Sequence, residues 1–145
     1  MATGFGFPSP ARSRRRRWKT AAFRLLKAHL PGPYTIILTA TREVPRMLLH
    51  PKRRTIGIRV PSHPIALALL EQLGEPLMSV SLIMPGDELP MSDPYEMRQV
   101  LEHQVDLIID GGFGGLEAST VVSLADESPQ VLRVGCGDPT PFSDL

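Results

Sequence analysis

Six short runs of β-branched and aliphatic residues alternate with stretches of helical pattern along this chain. The runs predict β-strands, and they cover residues 34–39, 55–60, 77–83, 105–110, 119–124 and 130–134. The stretches between them predict helices over residues 20–30, 63–73 and 94–103, with a helical turn or two at 44–50. Strands that alternate with helices predict an α/β fold with a mixed sheet.

Two of the predicted helices have clear end signals. Ser62 is expected to cap the helix that starts near His63, with Pro64 in its first turn, and Gly74 is expected to stop it. This helix is apolar almost all round, which predicts that it is well buried. Asp93, followed directly by Pro and three residues later by Glu, predicts the start of the next helix.

Charge divides the chain into two unlike parts. Residues 1–29 carry eight Lys and Arg and no acid, whereas the remainder carries eight basic residues against all fifteen acidic ones, a net charge of −7. Residues 1–19 combine Gly, Pro, Ser and an Arg block, so we expect this basic segment to be disordered and the folded domain to span 20–145. The acidic body does not suit a general nucleic-acid binder.

Composition and spacing exclude several kinds of protein. The single cysteine, Cys136, rules out an intramolecular disulfide and predicts a reducing, cytoplasmic location. No apolar run approaches the roughly 20 residues that a membrane-spanning helix needs. The four histidines show no metal-ligand spacing, so no metal site is predicted. Asp110–Gly115 is rich in glycine but lacks the Gly-Lys-Ser/Thr ending of a phosphate loop, and we interpret it as a flexible connection.

Several segments, in a fixed order over residues 20–142, together carry a family pattern. They are Pro31–Leu38 (PGPYTIIL), Glu43–Arg46 (EVPR), Thr55–Pro61 (TIGIRVP), His63–Ala66 (HPIA), Ser79–Leu82 (SVSL), Val105–Gly112 (VDLIIDGG), Ser119–Val122 (STVV) and Val131–Gly135 (VLRVG). In this order they resemble the YrdC/YciO family, and the YciO branch most. The resemblance implies a YrdC-like twisted mixed sheet with flanking helices.

The resemblance also implies an activity. The founding activity of the family condenses L-threonine, bicarbonate and ATP into threonylcarbamoyl-adenylate and pyrophosphate, for the modification of adenosine in tRNA. By this resemblance Thr55, Ser81 and Arg133 contact ATP, Arg59 and Ser119 contact L-threonine, and a Mg²⁺ ion bridges the phosphates. The residue types suit these roles, because a guanidinium is a planar fork for carboxylate or phosphate oxygens and hydroxyls supply directional donors.

Each of these residues also has a purely structural explanation, which the sequence leaves open. Arg59 lies inside an otherwise apolar predicted strand, so a structural salt bridge is the alternative to a ligand contact. Ser81 is explained equally by bonds to neighbouring backbone, and Ser119 by local bonds that start a strand. The alternative for Arg133 is a solvated surface charge.

Two features depart from the family. Its members have a longer N-terminal half with a Pro-Thr strand and a Lys-x-Arg element, and nothing in residues 1–19 resembles either. Leu82 stands where the synthases have Asn, and a leucine side chain makes no hydrogen bond. We therefore expect a domain truncated at the N-terminus that is inactive alone, with exposed apolar edges that cause self-association.

Basic residues support a second hypothesis. Lys52, Arg53 and Arg54 form a cluster in a predicted loop, and the basic segment 1–19 adds further positive charge. The family resemblance implies binding of tRNA or double-stranded RNA by a positive face, and such clusters bind phosphates. The alternative function is therefore an RNA-binding module without catalysis, and the competing explanation of the cluster is a solvated loop.

Overall fold

The computed structural model describes residues 10–48, 52, 54–126 and 128–143, in two compact units. The first unit comprises the chain up to Ser62 together with the chain from Ser119 onward, and the second comprises His63–Ala118. The first contains helix α1 (Pro10–His29), strands β1 (Tyr34–Thr39), β2 (Thr55–Ile58), β3 (Thr120–Ser123) and β4 (Gln130–Arg133), and 3₁₀ turns at Arg46–Leu48 and Thr140–Phe142. The second contains helices α2 (Pro64–Leu73) and α3 (Pro94–Leu101).

The four strands of the first unit form one mixed sheet in the order β2-β1-β3-β4. The central strands β1 and β3 are parallel, and each has an antiparallel neighbour at the sheet edge, β2 beside β1 and β4 beside β3. A parallel pair needs a long crossover connection, and here the chain between β1 and β3 includes β2 and the whole second unit. The predicted α/β fold with a mixed sheet is confirmed.

One face of this sheet forms the core. Side chains alternate along a strand, so Ile36 of β1 and Val122 of β3, which pair in the ladder, point to the same side, and both are fully buried. Ala22 of α1 and Phe142 of the C-terminal 3₁₀ turn belong to the same buried cluster. The opposite face carries Thr35 and Ile37 of β1 and Val121 and Ser123 of β3, a mixture of polar and apolar side chains.

Helix α1 begins earlier than expected. It starts at Pro10, ten residues before the predicted start at Thr20. The disorder expected for residues 1–19 stays a prediction. Proline is tolerated in a first helical turn, and arginine is a good helix former, which accounts for a helix through the Arg block. Residues 1–9 lie outside the described part, and the division into 1–19 and 20–145 remains a prediction.

The second unit confirms some helix signals and corrects others. Gly74 ends α2 in the left-handed conformation, with φ of 70°, as glycine does most easily. Asp93 caps α3, because its side chain accepts a hydrogen bond from the Tyr95 backbone N–H. The N-cap of α2 is His63 rather than Ser62, and no residue of α2 is buried, so the predicted burial of this helix is wrong.

Two predicted strands of the second unit are not strands. Residues 77–83 and 105–110 have no regular structure, because a strand requires a hydrogen-bonded neighbour and no described segment pairs with either. Their apolar side chains are consequently exposed, with Val80 at 93% and Leu107 at 75%. Exposed apolar surface of this kind is what the expected self-association would cover, which stays a prediction. None of the described helices is long and apolar enough to cross a membrane.

Candidate ligand-binding site

The polar face is the sheet face opposite the core, and it carries most of the candidate residues. Thr55 pairs with Thr39 of β1, and Arg133 pairs with Val121 of β3, which in turn pairs with Thr35. Directly paired residues point to the same side of a sheet, and so do residues two apart on a strand. The polar face therefore contains Thr35, Thr55 and Arg133, and Ser119 joins them through its hydrogen bond to Thr35, whereas Arg59 follows the end of β2.

A pair of hydroxyl groups lies at the centre of one end of the polar face. The Oγ1 atom of Thr35 and the Oγ atom of Ser119 are 2.7 Å apart, a short hydrogen bond in which either can donate. Ser119 is buried and Thr35 is half-buried, so this bond is partly shielded from water. The sequence analysis proposed Ser119 but not Thr35. The available signal was the spacing of Thr35, Ile37 and Thr39, which places all three residues on one face of the predicted strand.

Arg133 makes a structural contact at the same end of the polar face. Its Nε and Nη2 atoms donate to the carbonyl oxygen of Ser119, at 3.3 and 2.9 Å. The side chain is thus held in place and itself holds the backbone of Ser119. Arginine has five N–H donors, so three remain for other acceptors. The arrangement allows an anion contact but does not require one to explain the residue.

Arg59 is neither buried nor inside a strand, and that expectation is wrong. β2 ends at Ile58, which pairs with Ile36. Two residues later, the carbonyl oxygen of Val60 accepts a hydrogen bond from the Gly32 N–H at 2.9 Å. Arg59 lies between them, directly after the end of β2, and it is exposed. Among the described residues Arg59 forms no ion pair.

The other two candidates, Thr55 and Ser81, differ in the unit to which they belong. Thr55 is the first residue of β2 and pairs with Thr39, the last residue of β1. By the spacings of a regular sheet, it lies about 13 Å along the strands and about 14 Å across them from Arg133. Ser81 belongs to the second unit, is exposed and lies outside any strand. Within the first unit, Ser119 and Arg133 therefore lie together at one end of the polar face, with Arg59 just past the end of β2. Thr55, which is proposed to contact ATP as Arg133 is, lies at the opposite end.

Thr120 fastens the loop that follows β4, and sequence reasoning missed its importance. Its Oγ1 atom accepts hydrogen bonds from the N–H groups of Gly135 and Gly137, at 2.9 and 3.1 Å, and donates to the Gly137 carbonyl at 2.6 Å. The residue is fully buried. Its position on the core face was the available signal, since a hydroxyl there must find partners.

Tyr34 and Asp138 close the same loop against the sheet. The Tyr34 hydroxyl donates to the backbone carbonyl of Asp138 at 3.1 Å. Burial, followed by the nearby Asp138 carboxylate, raises the pKa of the Tyr34 phenol. The pKa of Asp138 is lowered, chiefly because its carboxylate accepts from the Thr140 backbone N–H at 2.9 Å. A side chain at Gly137 would meet the Tyr34 ring at 2.6 Å, so only glycine fits there.

The donor set of the polar face suits anions and hydroxyl groups rather than a metal held by the protein. Among the described residues there is no group of three or more His, Cys, Asp or Glu that could hold a metal ion. A cleft in the second unit is lined by residues 87–92 and Glu96, and its three carboxylates would repel a triphosphate. The polar face is therefore the better candidate for ligand binding.

Comparison with known proteins agrees with this architecture. Residues 9–135 match the model of the family that groups the Sua5, YciO and YrdC proteins and is described as "Telomere recombination". The chain is 59% identical over 121 residues to Escherichia coli YciO, an uncharacterized protein, and 34% identical over 112 residues to the Bacillus subtilis threonylcarbamoyl-AMP synthase. These matches cover 83% and 77% of this chain.

Solved structures give the same relationship. The crystal structure of E. coli YciO superposes with a TM-score of 0.77, covering 83% of this chain and 59% of that one. The structure of Pyrococcus abyssi Sua5 in complex with L-threonine superposes with a TM-score of 0.69 at 32% identity, covering 80% of this chain and 34% of that one.

The fold and the polar face define an α/β domain with a mixed sheet that presents hydroxyl and guanidinium groups on one side. The chain belongs to the Sua5/YciO/YrdC family, and the resemblance to the YciO branch is confirmed. It is related to the threonylcarbamoyl-AMP synthases, although the matched YciO proteins are uncharacterized. The chain spans about three fifths of the length of YciO and about one third of the length of the Bacillus synthase.

Proposed function

We propose that this chain carries an L-threonine site of the threonylcarbamoyl-AMP synthase type, at the end of the polar face where Arg59, Ser119 and Arg133 meet. The observation that carries the proposal is the Thr35–Ser119 hydroxyl pair, whose Ser119 backbone is held by Arg133. Arg59, an exposed residue that forms no ion pair among the described residues, directly follows the end of β2, the strand that pairs with β1. A related protein, P. abyssi Sua5, has been solved with L-threonine.

The chemistry of threonine matches the two kinds of group at this site. Its α-carboxylate suits the planar fork of Arg59, which can donate two parallel N–H bonds to the carboxylate oxygens. Its side-chain hydroxyl suits the Thr35–Ser119 pair. The clamp from Arg133 keeps Ser119 in place without occupying its hydroxyl, so the donors are arranged before a ligand arrives.

ATP and bicarbonate are the co-substrates in this proposal. Adenylyl transfer breaks the bond to the pyrophosphate group, so positioning and charge neutralisation are the tasks of the protein. Thr55 and the remaining N–H groups of Arg133 are far enough apart to contact only different parts of an extended nucleotide, and Ser81 is a third candidate. The polar face offers no carboxylate set for a metal, so Mg²⁺ would enter with the phosphates and be held chiefly by them.

Binding of L-threonine tests the proposal directly. We expect saturable binding by titration calorimetry at concentrations of about 1 mM or below, the usual upper range for enzyme substrates, and no matching heat with D-threonine. Equal signals with the two enantiomers, or none with either, would contradict the site. In a separate assay, pyrophosphate release that depends on L-threonine and bicarbonate would contradict the expectation that this chain is inactive alone.

A second candidate function is binding of tRNA or double-stranded RNA. The observation that favours it is the continuous helix α1, whose 20 residues include eight Lys and Arg and no acid. The exposed residues Lys52 and Arg54 would extend the positive charge, and Arg53 lies outside the described residues. The acidic remainder of the chain weakens this candidate.

The triple variant Lys52→Ala, Arg53→Ala, Arg54→Ala tests the RNA hypothesis. If these residues contact phosphates, RNA affinity falls and the slope of log affinity against log salt becomes shallower by about 2 to 3 units, close to one per lost contact. Fluorescence anisotropy of a labelled double-stranded RNA over a salt series measures both quantities. An unchanged slope in the variant removes the loop cluster from the interface.

A further inference from the structure

We infer that Thr35 is a positioning residue that makes the threonine site selective for amino acids with a side-chain hydroxyl. The inference rests on the proposed function and extends it, because it assigns a role to a residue that does not need to touch the ligand. Thr35 precedes Ile36, whose partner Ile58 is the last residue of the edge strand before Arg59, and on the other side Thr35 is hydrogen-bonded to Ser119.

The hydroxyl pair retains hydrogen-bonding capacity for a ligand. Thr35 and Ser119 each bring one hydroxyl hydrogen, and the 2.7 Å bond between their oxygens uses one of the two. Within the described residues neither oxygen forms a further hydrogen bond to a side chain or to backbone. One O–H donor and acceptor lone pairs therefore remain, in a partly shielded position where a directional bond discriminates between ligands.

Thr35 limits where the remaining donor points. The backbone of Ser119 is fixed by Arg133, so the free variable at this position is the rotation of the Ser119 hydroxyl. In the arrangement that leaves the Ser119 O–H free for a ligand, Thr35 donates to Ser119, which restricts that rotation and polarises the Ser119 hydroxyl as a donor. Without it the hydroxyl of Ser119 is a free rotor, and its bond to a ligand hydroxyl loses both orientation and strength.

The variant Thr35→Val tests this role, with L-threonine and its near-isostere L-valine as ligands. We expect L-threonine affinity to fall about 3- to 10-fold, the value of one neutral hydrogen bond, while L-valine affinity stays within about twofold. Thr35→Ser retains a hydroxyl at this position and should restore the preference. Thr39→Val is the matched control, because it makes the same change at the other end of β1 and should bind as wild type does.

The possible results separate the two claims. If the wild-type chain does not bind L-threonine, the proposed function fails and the inference fails with it. If the wild type binds and Thr35→Val keeps the wild-type ratio of L-threonine to L-valine affinity, the inference alone is wrong. Equal losses for both ligands, or no rescue by Thr35→Ser, would assign Thr35 a merely structural role. Thermal unfolding of each variant confirms that the compared proteins are folded.

Discussion

Replacement of Arg59 by alanine is expected to reduce L-threonine affinity about 10- to 150-fold, the range for loss of a charge-assisted hydrogen bond or pair of bonds. The side chain is exposed and has no ion-pair partner among the described residues, so the folded state should lose little when it is removed. Titration calorimetry with L-threonine measures the affinity, and urea unfolding measures the stability.

Two further variants make the Arg59 result specific. Arg59→Lys keeps the charge but not the planar fork, and we expect it to recover only part of the affinity. Arg98→Ala removes an exposed arginine of the second unit, which forms a 3.5 Å ion pair with Glu102 one helical turn away. It should bind L-threonine as the wild type does. Wild-type affinity in Arg59→Ala would remove the carboxylate contact from the proposed site.

The second large effect is on stability. Thr120→Val replaces a fully buried hydroxyl with a methyl group of similar size, and it leaves the backbone groups of Gly135 and Gly137 without their partner. Each buried polar group left unpaired costs about 1–3 kcal/mol, and some will find water, so we expect a total loss of roughly 2–4 kcal/mol. Urea unfolding followed by circular dichroism measures this change in the free energy of unfolding.

Thr39→Val is the control for this prediction as well. Its hydroxyl donates to the Ala125 carbonyl at 3.2 Å, but the residue is exposed and water can replace the bond. The free energy of unfolding should therefore change by about 0.5 kcal/mol or less. A Thr120→Val protein as stable as Thr39→Val would show that the loop after β4 is not fastened by this hydroxyl.

Secondary structure was predictable where a segment carries its own signals. β1 matches its predicted bounds, β3 and β4 differ by one or two residues, and Gly74 and Asp93 act as their residue types require. Residues 77–83 have the same composition as a strand but remain unpaired, because composition states only that a segment fits a sheet. Whether a neighbour is present is a property of the whole fold.

The candidate site was likewise predictable in its residue types but not in its contacts. The resemblance pointed to Arg59, Ser119 and Arg133, and their residue types already indicated carboxylate or phosphate chemistry. It did not indicate that Arg133 binds the Ser119 carbonyl, that Arg59 is exposed, or that Thr35 completes a hydroxyl pair. Those facts depend on strand register, which joins residues 84 positions apart in the case of Thr35 and Ser119.

The sequence by itself determined the family, the mixed α/β class and the kinds of group available for binding, because these follow from local composition and the order of segments. The tertiary structure alone decided which of those groups meet. The parallel pairing of β1 with β3 brings Thr35 to Ser119, and the antiparallel pairing of β1 with β2 leaves Thr55 at the opposite end of the polar face. The physical reason is that a one-residue change in register turns every side chain of a strand to the other face, and register is set by contacts distant in sequence.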